Sequence, residues 1–274
     1  MKKITISGLI FLLPLFSLAT DIPHPIFANP EVRSNDNFVK IKAGSFQMGS
    51  PSTEKGRHAD EKLHAVTITR DFEMQMTLVT QAQYFLTMGH NPSFFSSRSY
   101  CANDFVEING ASLCSNNPAE QVSWSDTQDF INKLNAIDVN YSYRLPTEAE
   151  LEYSIRAGTR SAFWFGNNAE NIGNYVWLYD NSGEQTHAVG TKPANPWGLY
   201  DATGNVGQWA FDWYGDYPSS HQRDPVGARS GTFRVVRGGG WNNGAPFFRS
   251  SYRNLDDFDG RSIIVGFRLA RTAK

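Results

Sequence analysis

A mixed α+β domain whose loops outweigh its regular elements is what this 274-residue chain predicts, from three observations. First, 23 glycines, 13 prolines and seven tryptophans occur with no long apolar periodicity, which favours short strands and ordered turns over a helical bundle. Second, the helical patterns that do occur are short, and each begins at a capping residue. Third, no repeat and no Pro/Ser-rich linker divides residues 37–274, so they read as one domain with enough apolar residues for a full-sized core. The charge balance, 25 basic against 27 acidic residues, provides no field suited to nucleic acid or to an anionic membrane surface, and neither is expected as a partner.

The chain opens with Met1-Lys2-Lys3, an apolar run from Ile4 to Leu18 and the small-residue sequence Ser17-Leu18-Ala19. This is the pattern of a signal peptide over residues 1–19, followed by an exposed segment over residues 20–36. The run is short for a membrane span and is followed by Pro23 and Pro25, so the mature chain is expected to be exported, to the periplasm, cell surface or medium, without an integral membrane span. In an oxidising compartment Cys101 and Cys114 read as a disulfide closing a short loop. The sharper alternative is a catalytic thiol pair, but neither cysteine has a neighbouring histidine or lysine to lower its pKa.

Within the domain, Phe38, Val39 and Ile41 mark a first strand, followed by a turn at Ala43-Gly44-Ser45 and by Phe46-Gln47-Met48-Gly49. Residues 50–62 are polar and read as a loop. Residues 65–69 read as a strand, and the apolar stretch 72–79 leads into a helix that Thr80 and Gln83 cap reciprocally, with Tyr84, Phe85 and Met88 on one face. Residues 89–120 read as a long decorated loop. A second helix carries Trp124, Thr127, Phe130, Ile131, Leu134 and Ile137 at helical spacing, capped by Ser123 and Asp126. A third is bounded by Thr147 with Glu150 at its start and by Gly158 as a left-handed stop. From Gly158 to about residue 232 only turns are expected, and then strands over 233–237 and 266–270.

An ordered series of short motifs punctuates these elements. It comprises Phe46-Gln47-Met48-Gly49, Asn91-Pro92-Ser93, Gln121-Val122-Ser123-Trp124, Arg144-Leu145-Pro146-Thr147-Glu148, Gly198-Leu199-Tyr200-Asp201, Gly204-Asn205-Val206, Arg237-Gly238-Gly239 and Gly266-Phe267-Arg268. The series resembles the formylglycine-generating enzyme, or sulfatase-modifying factor, family across residues 38–271. The resemblance implies a variant of the C-type lectin fold with low secondary-structure content. It leaves the activity open, because one scaffold hosts several functions.

Oxidases of that family hold copper with two cysteines just after the Arg-Gly-Gly segment, since thiolates select Cu(I). Here Asn243 and Phe248 stand at about those places, and no copper is expected. His64, His90 and His187 form no pair at metal-ligand spacing, and no catalytic residue is assigned. The resemblance also implies a structural calcium site on the side chains of Asp201 and Gln208 and the carbonyls of Gly204 and Val206, weakened because position 208 is usually a glutamate.

Residues 241–268 alternate fixed-looking pieces, such as Arg249, Arg253 and Arg261, with spacers of unrelated chemistry. The candidate ligand-binding residues are Asn242, Asn243, Gly244 and Phe247, then Tyr252, Leu255, Asp256, Asp257 and Phe258, and finally Ser262 and Ile263. Aromatic anchors beside adaptable polar groups suit a recognition surface. Residues 242–268 contain no Lys, Glu, Gln, Met or Trp, the types that codons ending in C cannot encode. The segment therefore resembles the variable region of proteins diversified by retroelements; ordinary drift in a turn-rich segment is the alternative origin. The reading is an exported, ligand-binding member of the family, its ligand a protein or a glycan. A periplasmic enzyme with a cysteine-independent oxidation or transfer reaction is the alternative, and a structural envelope protein would follow if the aromatics were buried.

Overall fold

The computed structural model describes residues 37–274; the signal peptide expected over residues 1–19 and the segment 20–36 lie outside the described residues. Capping fixes the three α-helices where the sequence placed them. The side chains of Thr80, Ser123 and Thr147 each accept a hydrogen bond from the third helical amide, and Gln83, Asp126 and Glu150 each answer at the cap backbone. The helices are α1 (Gln81–Met88), α2 (Trp124–Ile137) and α3 (Glu148–Arg156). The left-handed stop of α3 begins one residue earlier than predicted, at Ala157, and continues through Gly158. Ile137, predicted to point inward, is 57% exposed, because it closes the last turn of α2 beyond the edge of the core.

Thirteen short strands are named in chain order. They are β1 (Phe38–Ile41), β2 (Gly44–Met48), β3 (His64–Ile68), β4 (Phe72–Gln75), β5 (Phe105–Ile108), β6 (Ala111–Cys114), β7 (Tyr141–Arg144), β8 (Gly207–Trp213), β9 (Gln222–Arg223), β10 (Phe233–Arg237), β11 (Arg253–Asp257), β12 (Val265–Gly266) and β13 (Ala270–Ala273). One sheet has the order β1-β4-β13-β7, so the last strand closes between elements from the first half of the domain. A second sheet, β11-β10-β8-β12, leaves β11 as an edge. A third joins β2, β3 and β9, and β5 with β6 forms a hairpin. Helices, 3-10 turns included, hold 16% of the described residues and strands 26%, in agreement with the loop-dominated α+β class and the lectin-like fold.

Several strands lie where loops were expected. The β5–β6 hairpin sits inside the decorated loop, and the Cys101–Cys114 disulfide ties its end, with Cα atoms 5.6 Å apart. β8 lies in the stretch read as turns only: its burial is continuous from Gly207 to Ala210, so it lacks the period-two alternation that marks a half-exposed strand. The strand expected over 266–270 is split into β12 and β13, because Phe267 and Leu269 give their carbonyls to Val79 and Gln75 instead of a ladder. Gly266 is required there: a β-carbon would meet the Ala119 carbonyl at 2.5 Å.

Every residue of α3 is buried, although five of its nine residues are ionisable: Glu148, Glu150, Glu152, Tyr153 and Arg156. Buried carboxylates persist only when paired, and each glutamate meets an arginine. Arg253 and Arg237 face Glu148, Arg144 holds Glu150, and Arg156 and Arg237 hold Glu152. α3 thereby becomes the acidic spine against which the C-terminal segment is docked.

Candidate functional site: the C-terminal face

After β10 the chain turns at Gly238 and Gly239, both at positive φ, and runs through a 3-10 turn (Ala245–Phe248) to β11. Three guanidinium groups anchor this path. Arg249 binds Glu54 at 2.8 Å and Glu61 at 2.6 Å, Arg253 grips both oxygens of Glu148 at 2.6 and 2.9 Å, and Arg237 meets Glu152. All three arginines are at most 4% exposed. Burial alone would raise the Glu61 carboxyl, yet hydrogen bonds from Arg249 and Ser50 bring it down to about 2. Burial likewise opposes the charge on Glu148, and the guanidinium groups of Arg253 and Arg237 reverse that effect and hold it below the usual carboxylate range.

Between the anchors the candidate residues sort by exposure. Asn242 is exposed; Asn243 is half-buried and structural, its side-chain oxygen accepting from the Gly240 amide at 2.9 Å and its carbonyl from the Tyr179 amide. Gly244 precedes the 3-10 turn, and Phe247 is 36% exposed. Leu255, Asp257 and Phe258 project outward from the edge of the sheet, with Asp256 half-buried. Ser262 and Ile263 are half-buried, and their carbonyls accept from the Gln121 amide and the Trp241 indole.

Tyr252 corrects the sequence reading, because it is buried. Its ring backs Phe247 edge-on at 5.1 Å and touches His58 on its other side. Phe248 is fully buried in a cluster with Phe163, Ile172, Val176 and Leu178. The candidate surface therefore has two parts, a loop patch at 242–247 and a strand patch at 254–258.

The strand patch extends onto residues that sequence reasoning missed. The guanidinium of Arg234 lies between the rings of Trp124 and Trp213, at 3.6 and 3.5 Å, and donates to the Phe211 carbonyl at 2.6 Å. Phe258 meets Trp213 at 6.0 Å, and Phe211 and Phe233 are each 41% exposed beside them. The β8–β10 register sets Arg234 opposite Trp213, the β10–β11 register sets Phe233 opposite Asp257, and the Trp124 indole docks on the Ala210 carbonyl; no local pattern announces these pairings. At the loop patch, Phe95 packs edge-on against Trp241 at 5.5 Å and also meets the exposed Phe94 and the half-buried Tyr100. Beneath, Glu120 accepts from the Phe95 amide at 2.9 Å through one oxygen, while the other has no partner among the described residues. His187 stacks on Trp177 with its Nε2 on the Ser182 carbonyl, and burial lowers its pKa.

Of the residues expected to cage calcium, Gln208 and Asp201 already have side-chain oxygens engaged, whereas a hard dication needs several free oxygens. The side-chain oxygen of Gln208 accepts from Arg268 at 2.5 Å, one oxygen of Asp201 accepts from the Gly190 amide, and burial pushes the Asp201 carboxyl up to about 6. The Arg268 guanidinium also takes the Tyr200 and Asp201 backbone carbonyls, so a fixed cation already occupies the Gln208 side chain; Gly204 and Val206 lie in the adjoining turn. Among the described residues no three His, Cys, Asp or Glu side chains group as metal ligands. Adding calcium or a chelator is therefore expected to leave the melting temperature unchanged, and a calcium-dependent rise of several degrees by calorimetry would contradict this placement.

A model of the sulfatase-modifying factor enzyme 1-like domain matches residues 24–273. The chain is 28% identical over 270 residues to the chaperone protein LppX of Paenibacillus barcinonensis, covering 87% of this chain and 90% of that protein. It is 33% identical to the mouse formylglycine-generating enzyme over 172 residues, 57% of this chain and 44% of the enzyme, and so spans less than half of the enzyme's length. Among solved structures, Treponema denticola variable protein 1 superposes with a TM-score of 0.74 at 28% identity, over 85% of this chain and 94% of that one. PvdO from Pseudomonas aeruginosa superposes with a TM-score of 0.72 at 29% identity, over 85% and 93%. No helix among the described residues is long and apolar enough to cross a membrane.

Proposed function

We propose that this chain, which belongs to the sulfatase-modifying factor enzyme 1-like family, is an exported binding protein that presents its C-terminal face to a ligand and does not carry out copper-dependent thiol oxidation. One observation carries the reading: Arg237, Arg249 and Arg253 are buried and paired, while Asn242, Phe247, Asn254, Leu255, Asp257 and Phe258 are exposed on the segment they anchor. A rigid support carrying variable-looking side chains is the architecture of a recognition surface, because the ordering cost is met before the ligand arrives. Where the oxidase would place thiolates, Asn243 binds its own backbone and Phe248 is core, and the chain's two cysteines are bonded to each other.

The name of the Paenibacillus relative, a chaperone, supports a protein as the ligand, with a glycan as the other class. The name of the Treponema structure, a variable protein, supports diversification of the 242–263 spacers. The coding DNA tests that origin: a nearby near-copy of the 3′ end differing only at adenines is the expected finding.

Two measurements test the function. Incubated with Cu(I) and a sulfatase-type cysteine peptide, the purified protein is expected to yield no formylglycine by mass spectrometry, and turnover would overturn the reading. Arrayed extracellular proteins and surface glycans probed with the labelled chain are expected to give spots that weaken at least about tenfold for the variant carrying Asn242→Ala, Phe247→Ala, Leu255→Ala and Phe258→Ala. Spots indifferent to those four changes would place the binding elsewhere.

A further inference from the structure

A cleft of about 390 Å³ lies between β2, the end of α3 and the loop carrying Trp197, and none of its lining residues belongs to the C-terminal face. Its wall is aromatic: the Tyr153 ring stands 5.1 Å from Phe46 and 4.8 Å from Trp197, and these two flanking rings are half-exposed. Its volume falls in the range of small-molecule sites, which combine apolar walls with a few placed polar groups. Three polar features supplement the wall. Ser45 and Gln47 are exposed at the rim, and the Thr159 hydroxyl is buried against the cleft with no hydrogen-bond partner among the described residues. A buried hydroxyl without a partner is costly unless something completes it.

Charge narrows the ligand class. Two guanidinium groups line the cleft and no carboxylate does. Arg156 is fully committed, to Glu152 at 2.8 Å, the Gly49 carbonyl at 2.8 Å and the Ser161 carbonyl at 3.2 Å. Arg160 is exposed, with neither an ion pair nor a hydrogen bond among the described residues. The cleft therefore offers one free planar fork for a single carboxylate, ring faces for stacking, and hydroxyl and amide groups for a polyhydroxylated body. A phosphorylated ligand would call for more positive charge, and a plain aromatic acid would leave the Thr159 hydroxyl without a partner and the exposed Gln47 amide unused; the Ser45 hydroxyl already shares a hydrogen bond with Thr67 at 2.7 Å.

We propose that this cleft binds an acidic saccharide, a uronate whose ring lies against Trp197 and whose carboxylate is held by Arg160. The site is independent of the ligand of the C-terminal face.

Tetragalacturonate and its methyl ester, titrated by calorimetry and by tryptophan fluorescence, provide the test on the full chain. The acid is expected to bind about tenfold more tightly than the ester, and Arg160→Gln is expected to abolish that difference by weakening the acid alone. Trp197→Ala is expected to remove binding of both, and the fourfold variant of the C-terminal face to leave both unchanged. Equal affinity for acid and ester, an unaltered preference in Arg160→Gln, absence of binding at millimolar sugar, or equal binding of 4-hydroxybenzoate would each overturn the assignment. Arg160 is exposed and unpaired, so its variant keeps the test decisive even if Trp197→Ala fails to fold.

Discussion

Arg253→Met is expected to destabilise the protein by about 3–5 kcal/mol, the cost of leaving a buried carboxylate without its counter-ion. The methionine keeps much of the packing volume and removes the charge. Glu148 would then retain only the Tyr217 hydroxyl at 2.7 Å and the more distant Arg237 at 3.9 Å. The loss also removes the guanidinium stacked over the Tyr214 and Tyr217 rings, at 4.5 and 3.8 Å. Because Arg253 is the first residue of β11, the strand patch should loosen before the rest of the fold. Urea unfolding measures the first effect and amide exchange at residues 254–257 the second. Pairing the change with Glu148→Gln should restore much of the stability, since the harm lies in the unpaired charge more than in the missing contact. A loss below about 1 kcal/mol would show that the anchor is not structural.

Glu120→Gln is expected to act in the opposite direction and only on the alkaline side. Burial pushes the Glu120 carboxyl up to about 8, against the Phe95 and Phe94 amides, which lower it. The folded protein therefore keeps this group protonated at pH values where the unfolded chain releases the proton. A folded pKa above the unfolded one means that the contribution is fully present below about pH 4.5 and is lost as pH rises toward 8. Asp212, raised to about 8 by burial and by the neighbouring Glu148 charge, has the same sign. Glu61, lowered to about 2, has the other: its contribution is present above about pH 4.5 and fades as pH falls toward 2. The wild-type protein should accordingly be most stable near pH 5. Glu120→Gln should match it there and exceed it at pH 8 by an amount on the order of 3 kcal/mol. Urea unfolding from pH 5 to 8.5 checks this, and parallel pH profiles for the two proteins would contradict it.

Both predictions concern residues whose roles had different visibility. Glu148 belongs to the motif that placed the start of α3, so its position on a helix was legible; its partner 105 residues away was not. Glu120 immediately precedes the Gln121-Val122-Ser123-Trp124 motif and carries no local mark of burial. The outward positions of the C-terminal segment were readable because fixed-looking arginines alternate with spacers of unrelated chemistry. Tyr252 broke that reading: it occupies a spacer position, but the Arg249 and Arg253 anchors on either side draw the backbone inward there.

By itself the sequence determined the three helices, the family scaffold, the disulfide loop and the exposed positions Asn242, Phe247, Leu255, Asp257 and Phe258. These rest on interactions among residues close in the chain: capping boxes, turn chemistry, a 13-residue cysteine separation and a run of alternating spacers. Tertiary structure alone decided that Arg268 occupies the side-chain acceptor of Gln208 and the backbone carbonyl of Asp201, that Arg234 is held between Trp124 and Trp213, and that Phe46, Tyr153 and Trp197 share one cleft wall. Each of these joins side chains about 20 to more than 100 residues apart, and the long-range docking that sets their geometry leaves no periodicity in the chain for a local reading to detect.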